Sequence, residues 1–204
     1  MEGKIDSTFQ MQQRDMFTSG IVAEIGVNAY AVWSVIKSYA DFATGEAFPG
    51  MREIGKELGL GKSTVQRAVD VLQKSHMLRI VEDARYKRKG QTYIARERLA
   101  VRLGDRIICF VVIDYVPVRL RKQIGDINKA LKNGKDDDEI WAQVEIVPGE
   151  GFVWDAQSQT LKASVKASAL PVSSTDESND YHRQLGEAIF SKFAPGLKNR
   201  LVKK

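Results

Sequence analysis

The sequence predicts an α+β protein, and three observations carry that prediction. Apolar residues recur at helical spacing through residues 29–75: Val32, Val35, Ile36 and Tyr39 form one stripe, and Val65, Ala68, Val69 and Leu72 another. Two stretches of strand character, 78–82 and 92–95, follow at once and flank a polar connection, as a hairpin does. From residue 104 the pattern returns to strand, then helix, then strand. With 204 residues and 43% hydrophobic content, the chain has enough apolar surface to bury a core in one or two small domains.

Composition narrows the function classes. The longest apolar run, 107–113, is far short of the roughly 20 residues a membrane helix needs, so no membrane span is expected. The opening Met-Glu-Gly-Lys-Ile-Asp is charged and carries no apolar leader. Cys109 is the single cysteine, which excludes an intrachain disulfide; a cytoplasmic location is the expectation. Inside an apolar run, a lone thiol reads as an inert small hydrophobe. His76 and His182 lie far apart with no cysteine cluster near either, so neither a metal nor a cofactor is expected.

Residues 1–20 carry Phe9, Met11, Met16 and Phe17 without a clean period and predict an arm or a loosely packed helix. A first domain is expected over 21–103. Its first helix is predicted over 29–43, with Asn28 as the cap, Tyr30 and Trp33 widening the buried face, and Thr44-Gly45-Glu46 ending it. Phe48-Pro49-Gly50 then forces a fresh start, because proline cannot continue a helix from upstream. A second helix follows from Met51 and a third over 62–75.

Between these two helices the spacing is specific. Ile54, Leu58, Leu60, Val65 and Ala68 are apolar, Gly59 supplies a left-handed turn, and Gly55 lets the helices approach. Leu60 plugs the corner beneath the second helix. That layout is a helix-turn-helix. Its third helix begins with Lys62, Ser63, Thr64, Gln66 and Arg67, where a recognition helix meets bases and phosphates. Gln66 has the amide that reads adenine, and Arg67 the parallel donors that read guanine. Lys62 and Thr64, at the helix start, suit phosphate, and Arg52 is a further phosphate candidate. Asp70, one turn beyond Arg67, is placed to pair with it. The hairpin tip holds Arg85, Tyr86, Lys87, Arg88 and Lys89, a basic wing suited to the flanking minor groove or backbone. Three helices and such a hairpin make a winged helix.

Charge is distributed to match. Residues 50–103 contain 13 Lys+Arg against 6 Asp+Glu, a balance of +7 in a chain whose total is +5, so the remainder carries −2. Positive charge gathered on one segment is the electrostatic footprint of a phosphate-binding surface.

Residues of about 20–100 resemble the winged helix-turn-helix domains of plasmid and phage replication proteins and related bacterial regulators. The shared pattern is a first helix, Phe-Pro, a small residue, an Ile-Gly-x-Glu-Leu-Gly block, then Thr-Val-Gln-Arg-Ala leading to Val-Leu. The resemblance covers a little under half the chain and implies DNA binding rather than a particular use for it. Two positions depart from the pattern: Gly50 and Gly61 stand where members usually carry serine. Glycine caps a helix only a few tenths of a kcal/mol less well, so the fold is unaffected, but a hydroxyl available to phosphate is absent at Gly61.

Several catalytic patterns are excluded on spacing. Residues 59–64, Gly-Leu-Gly-Lys-Ser-Thr, mimic the end of a phosphate-binding loop. That loop needs glycine at the position of Lys56, and it follows a strand rather than a helix. A relaxase would need clustered histidines, and a serine or cysteine nucleophile would need a histidine base held against it; two isolated histidines supply neither pattern. The consecutive Asp136-Asp137-Asp138-Glu139 converge poorly on a metal and read as a solvated connection. A non-enzymatic chain is the expectation.

Beyond residue 104 the sequence predicts a β-α-β-β unit over 104–167. Its parts are a strand at 106–115 covered on both sides, a helix at 118–132 with Leu120, Ile124, Ile127 and Leu131 inward, a strand at 140–147, and a return at 152–155 with 160–165. Arg119, Arg121, Lys122, Lys129 and Lys132 on that helix read as partners of the acidic run, with extension of the DNA surface as the alternative. Residues 168–180 read as a flexible linker. Residues 181–204 carry a stripe of Tyr181, Leu185, Ile189 and Phe193, an amphipathic C-terminal helix suited to a protein partner. The expected function is site-specific binding of double-stranded DNA, as a homodimer, in replication initiation or transcriptional regulation of a mobile element. The competing expectation is an interaction adaptor that recruits a partner protein through the β-α-β-β unit and the C-terminal helix.

Overall fold

Two very short helices, α1 (Asp15–Thr18) and α2 (Ile21–Ile25), precede the first long one in the computed structural model. The structure describes residues 10–81, 91–133, 140, 142–155 and 160–163. The expected wing tip, acidic run, linker and C-terminal helix lie outside those residues. So do the first nine positions of the expected arm.

Residues 10–26 carry buried side chains. Met16, Ile21 and Ile25 are all buried, which their irregular spacing could not reveal. Helix α3 (Val27–Ser38) begins two residues earlier than expected. Gly26, at φ 83° and ψ 156°, takes the cap position, and Asn28 falls inside the helix. Few residues but glycine accept that backbone geometry, so the chain turns at Gly26 rather than at the better side-chain cap. Helix α3 also ends early, at Ser38. Asp41 closes the following turn, its Oδ1 accepting hydrogen bonds from the Ala43 and Thr44 amides at 3.0 and 2.8 Å and from the Thr44 hydroxyl at 3.0 Å. These donors hold the Asp41 carboxyl below the usual carboxylate range, the Thr44 amide contributing most.

Strand β1 (Glu46–Ala47), helix α4 (Met51–Leu58), helix α5 (Lys62–Lys74) and strand β2 (Leu78–Val81) follow. Helix α3 packs against both α4 and α5, making the three-helix core. Helix α5 leaves through a Schellman turn: Met77 N–H donates to Leu72 O (2.8 Å) and His76 N–H to Gln73 O (3.1 Å). His76 occupies the left-handed position, φ 61°, where glycine is usual.

Strand β3 (Thr92–Leu103) runs much further than the predicted 92–95. Its first residues pair antiparallel with β1 (Glu46 with Ile94) and with β2 (Leu78 with Ala95). Strand β4 (Arg106–Asp114) comes next in the order β1-β3-β4-β5 of a five-stranded sheet, with β2 on β3. Every residue from Ile108 to Ile113 is buried, as expected of a strand covered on both faces. Helix α6 (Leu120–Asn133) buries Leu120, Ile127 and Ala130. Strand β5 (Glu145–Pro148) pairs antiparallel with β4, Cys109 opposite Pro148, and starts five residues later than expected. Strands β6 (Phe152–Asp155) and β7 (Thr160–Ala163) form a separate two-stranded sheet.

The chain divides into two compact units, Met1–Arg98 with Asp114–Leu120 and Leu99–Ile113 with Arg121–Lys204. Strands β3 and β4 contribute residues to both, so the division does not fall at the single point expected after residue 103.

The first unit contains a buried ion pair. Lys37, on α3, meets Glu97, on β3, with Nζ 2.5 Å from Oε1 and both side chains fully buried. Lys37 also donates to the Met11 carbonyl. Its ammonium lies 4.4 Å from the ring centre of Trp33 and 4.3 Å from that of Tyr115. Burial pushes the Lys37 ammonium below its ordinary range and the Glu97 carboxyl above its own, each opposed by the attraction of the other. The helical stripe of α3 therefore contains a charge that its apolar spacing does not announce.

Candidate nucleic-acid interface

Pro49 and Gly50 set the start of α4. Gly50 takes the cap in extended conformation (φ −70°, ψ 146°), Glu53 sits in the first turn and Lys56 in the last, each complementing the helix dipole. Gly59 ends the helix at φ 65°. Gly55 is required by the turn itself. A Cβ there would stand 2.5 Å from the Leu60 carbonyl oxygen and 3.6 Å from Val65 Cγ2, while the Leu60 amide donates 2.8 Å to Gly55 O. The tight approach is thus helix to turn backbone first, helix to helix second. Leu60 is only half-buried, so the corner depends more on its backbone than on its side chain.

Helix α5 starts from Gly61, again extended (φ −69°, ψ 151°) and without a side-chain cap. The helix leaves its first amides without intrahelical acceptors, and Gly61 offers no hydroxyl to take one, which suits an approaching phosphate. Val65, Ala68, Val69 and Leu72 are buried, as the spacing predicted. With those four turned inward, 3.6 residues per turn puts Ser63, Arg67, Asp70 and Lys74 at the centre of the opposite face, with Gln66 beside them and Lys62 on one flank. All six are exposed. Thr64 lies on the flank, half-buried, and Arg52 is exposed on α4. Arg85, Tyr86, Lys87, Arg88 and Lys89 lie outside the described residues, although β2 and β3, which flank them, pair antiparallel.

Hydrogen bonding on this face corrects one expectation. Asp70 does not pair with Arg67. Its Oδ1 instead accepts from Gln66 Nε2 at 3.0 Å, and Arg67 Nε donates back to the Ser63 carbonyl at 3.3 Å. The Tyr39 hydroxyl, at the end of α3, donates to Glu57 of α4. That bond raises the Tyr39 phenol to about 12.

The positive charge of residues 50–103 is of two kinds. Arg79 and Arg96 both pair with Asp114, at 2.5 and 3.2 Å, and Arg98 pairs with Glu24 at 2.8 Å. Those cations are neutralised by carboxylates outside the segment, so part of the apparent footprint is internal structure. Arg52, Lys56, Lys62 and Lys74 make no ion pair among the described residues and remain exposed. No gathering of three or more His, Cys, Asp or Glu side chains suits a metal ion among the described residues, and no helix there is long and apolar enough to cross a membrane.

No curated protein and no solved structure matches the chain. Residues 23–76, which span α3, α4 and α5 together with the outward face of α5, match a family model described as a helix-turn-helix domain.

Proposed function

We propose that the chain is a non-enzymatic protein that binds a specific site on double-stranded DNA through α5. The observation that carries this reading is the α5 helix itself: four apolar residues turned into a helix-turn-helix core and five exposed polar or charged residues on the opposite face. Gln66 and Arg67 read bases, Lys62, Ser63, Thr64 and Arg52 hold phosphate, and the segment joining β2 to β3 serves as a basic wing through Arg85, Tyr86, Lys87, Arg88 and Lys89. The site is read by a homodimer, since one helix spans too few base pairs for a long site. The use is replication initiation or transcriptional control on a mobile element, in the cytoplasm. The resemblance to plasmid and phage replication proteins supports that use. The C-terminal stretch 181–204 engages a protein partner.

Binding to duplex DNA measured across salt concentrations tests this reading. Affinity should fall with salt at a slope of about −0.9 per phosphate contacted. Neutralising residues 85–89 should weaken binding to every sequence and flatten that slope. A protein that retains no duplex at low salt would leave the adaptor reading in its place.

A further inference from the structure

Asp70 presents a problem for any face that approaches a polyanion. It lies at the centre of the outward side of α5, on the same row as Ser63, Arg67 and Lys74, and it is exposed. A carboxylate there repels phosphate whatever the sequence of the DNA. It does not repay this by neutralising Arg67, whose guanidinium is bonded back to Ser63 O.

Its one bond on this face goes to Gln66, four residues earlier, at 3.0 Å. A carboxylate only accepts hydrogen bonds, so the amide nitrogen of Gln66, and not its oxygen, must face it. The bond therefore selects one of the two orientations of the amide and holds it. Counting what remains identifies the ligand. Gln66 keeps one N–H on Nε2 and both lone pairs on Oε1. The major-groove edge of adenine offers one acceptor, N7, and one donor, the N6 amino group, and a glutamine amide satisfies both with one N–H and one carbonyl. The group left over after Asp70 has taken its share is the pair that adenine needs.

We infer that Asp70 is a positioning residue that orients the Gln66 amide for an adenine in the major groove, so that it sharpens preference at one base while weakening binding to all sequences alike. This rests on the DNA-binding reading of α5. The energetic logic is preorganisation: a free glutamine side chain has rotors to immobilise on binding, and here one of its groups is already held.

The test is selection of preferred duplexes from a random pool, followed by competition binding, with wild type, Q66A, D70A, D70N and Q66A/D70A. Alanine is the best helix former, so D70A keeps the helix, which circular dichroism verifies. Wild type should prefer an A·T pair at one position by about tenfold, and Q66A should lose that preference. D70A and D70N should both reduce it several-fold: alanine offers no partner, and the asparagine amide accepts either orientation of Gln66. Both should also raise affinity for non-specific duplex. In the Q66A background, D70A should retain only that general gain and change no base preference.

The inference is overturned if D70A and D70N shift affinity for every sequence by one common factor and leave the preference intact. Asp70 would then be a surface charge, with DNA binding through α5 still standing. If wild type retains no duplex at all, the reading of α5 falls and the role of Asp70 with it. Those two failures differ in the wild-type lane.

Discussion

Two regions of the same helical core treat charge in opposite ways. Around Lys37 a cation is enclosed by Glu97, two aromatic rings and a backbone carbonyl, and the pair is fully buried. On the solvent side of α5, Arg67 and Lys74 stand in the open, as does Lys62 at its start. Composition counts these residues alike. Their energetics differ because desolvation dominates the first case and solvent screens the second. A buried charge is held in place by the fold; an exposed one is available to a ligand. Lysines and arginines on this domain should therefore divide into those whose loss unfolds it and those whose loss only weakens binding.

The largest effect should come from breaking the buried pair on one side only. K37M or E97Q alone should cost about 3–5 kcal/mol in urea unfolding, because each leaves an uncompensated polar group in the interior. K37M/E97L together should recover most of that loss. A double variant as unstable as either single would show that the two charges are not each other's compensation, and the contrast with α5 would fail.

Gly55→Ala should come next, at about 1–3 kcal/mol, since its Cβ meets the backbone oxygen of Leu60 and not a side chain that can swing aside. Because Gly55 sits under the turn that aims α5, DNA affinity should fall with stability in this variant. Arg67→Ala should separate the two quantities. Its unfolding midpoint should stay within about 0.5 kcal/mol of wild type, while specific binding weakens by about 1–3 kcal/mol. A loss of stability in that variant would place Arg67 on the buried side of the comparison.

Asp41 is an intermediate case, an exposed carboxylate that the fold nevertheless uses. Its pKa is depressed, so its contribution is present above the unfolded value and lost as pH falls through the folded one. An NMR titration should find its midpoint below the normal aspartate value of about 3.9, with the Ala43 and Thr44 amide resonances moving at the same pH. A normal midpoint would mean that those three hydrogen bonds do not persist in solution.

The helix-turn-helix was legible because its signals are local. Pro49 and Gly50 start α4, Gly59 ends it, and four apolar residues fix the inward side of α5 within thirteen positions. The short helices α1 and α2 were not legible, because five residues cannot display a period and Met16 and Ile21 are buried by tertiary packing alone. The length of β3 was hidden for a related reason. Arg96-Glu97-Arg98 reads as a solvated run, yet Glu97 finds its partner sixty residues away and Arg98 meets Glu24 from further still. In the site, the residue types on α5 could be read from their order. The bond between Gln66 and Asp70 could not, since Gln66 and Arg67 are both within reach of that carboxylate along a helix.

Cys109 has a practical consequence. It lies opposite Pro148 within the sheet, is 1% exposed, and burial pushes its thiol up to about 12. At neutral pH it offers almost no thiolate to an alkylating reagent. A cysteine introduced at Tyr86 or at Lys74 would thus be the one reactive thiol of the folded chain, with no background to remove. A fluorophore or spin label at either place would report directly on the approach of a duplex.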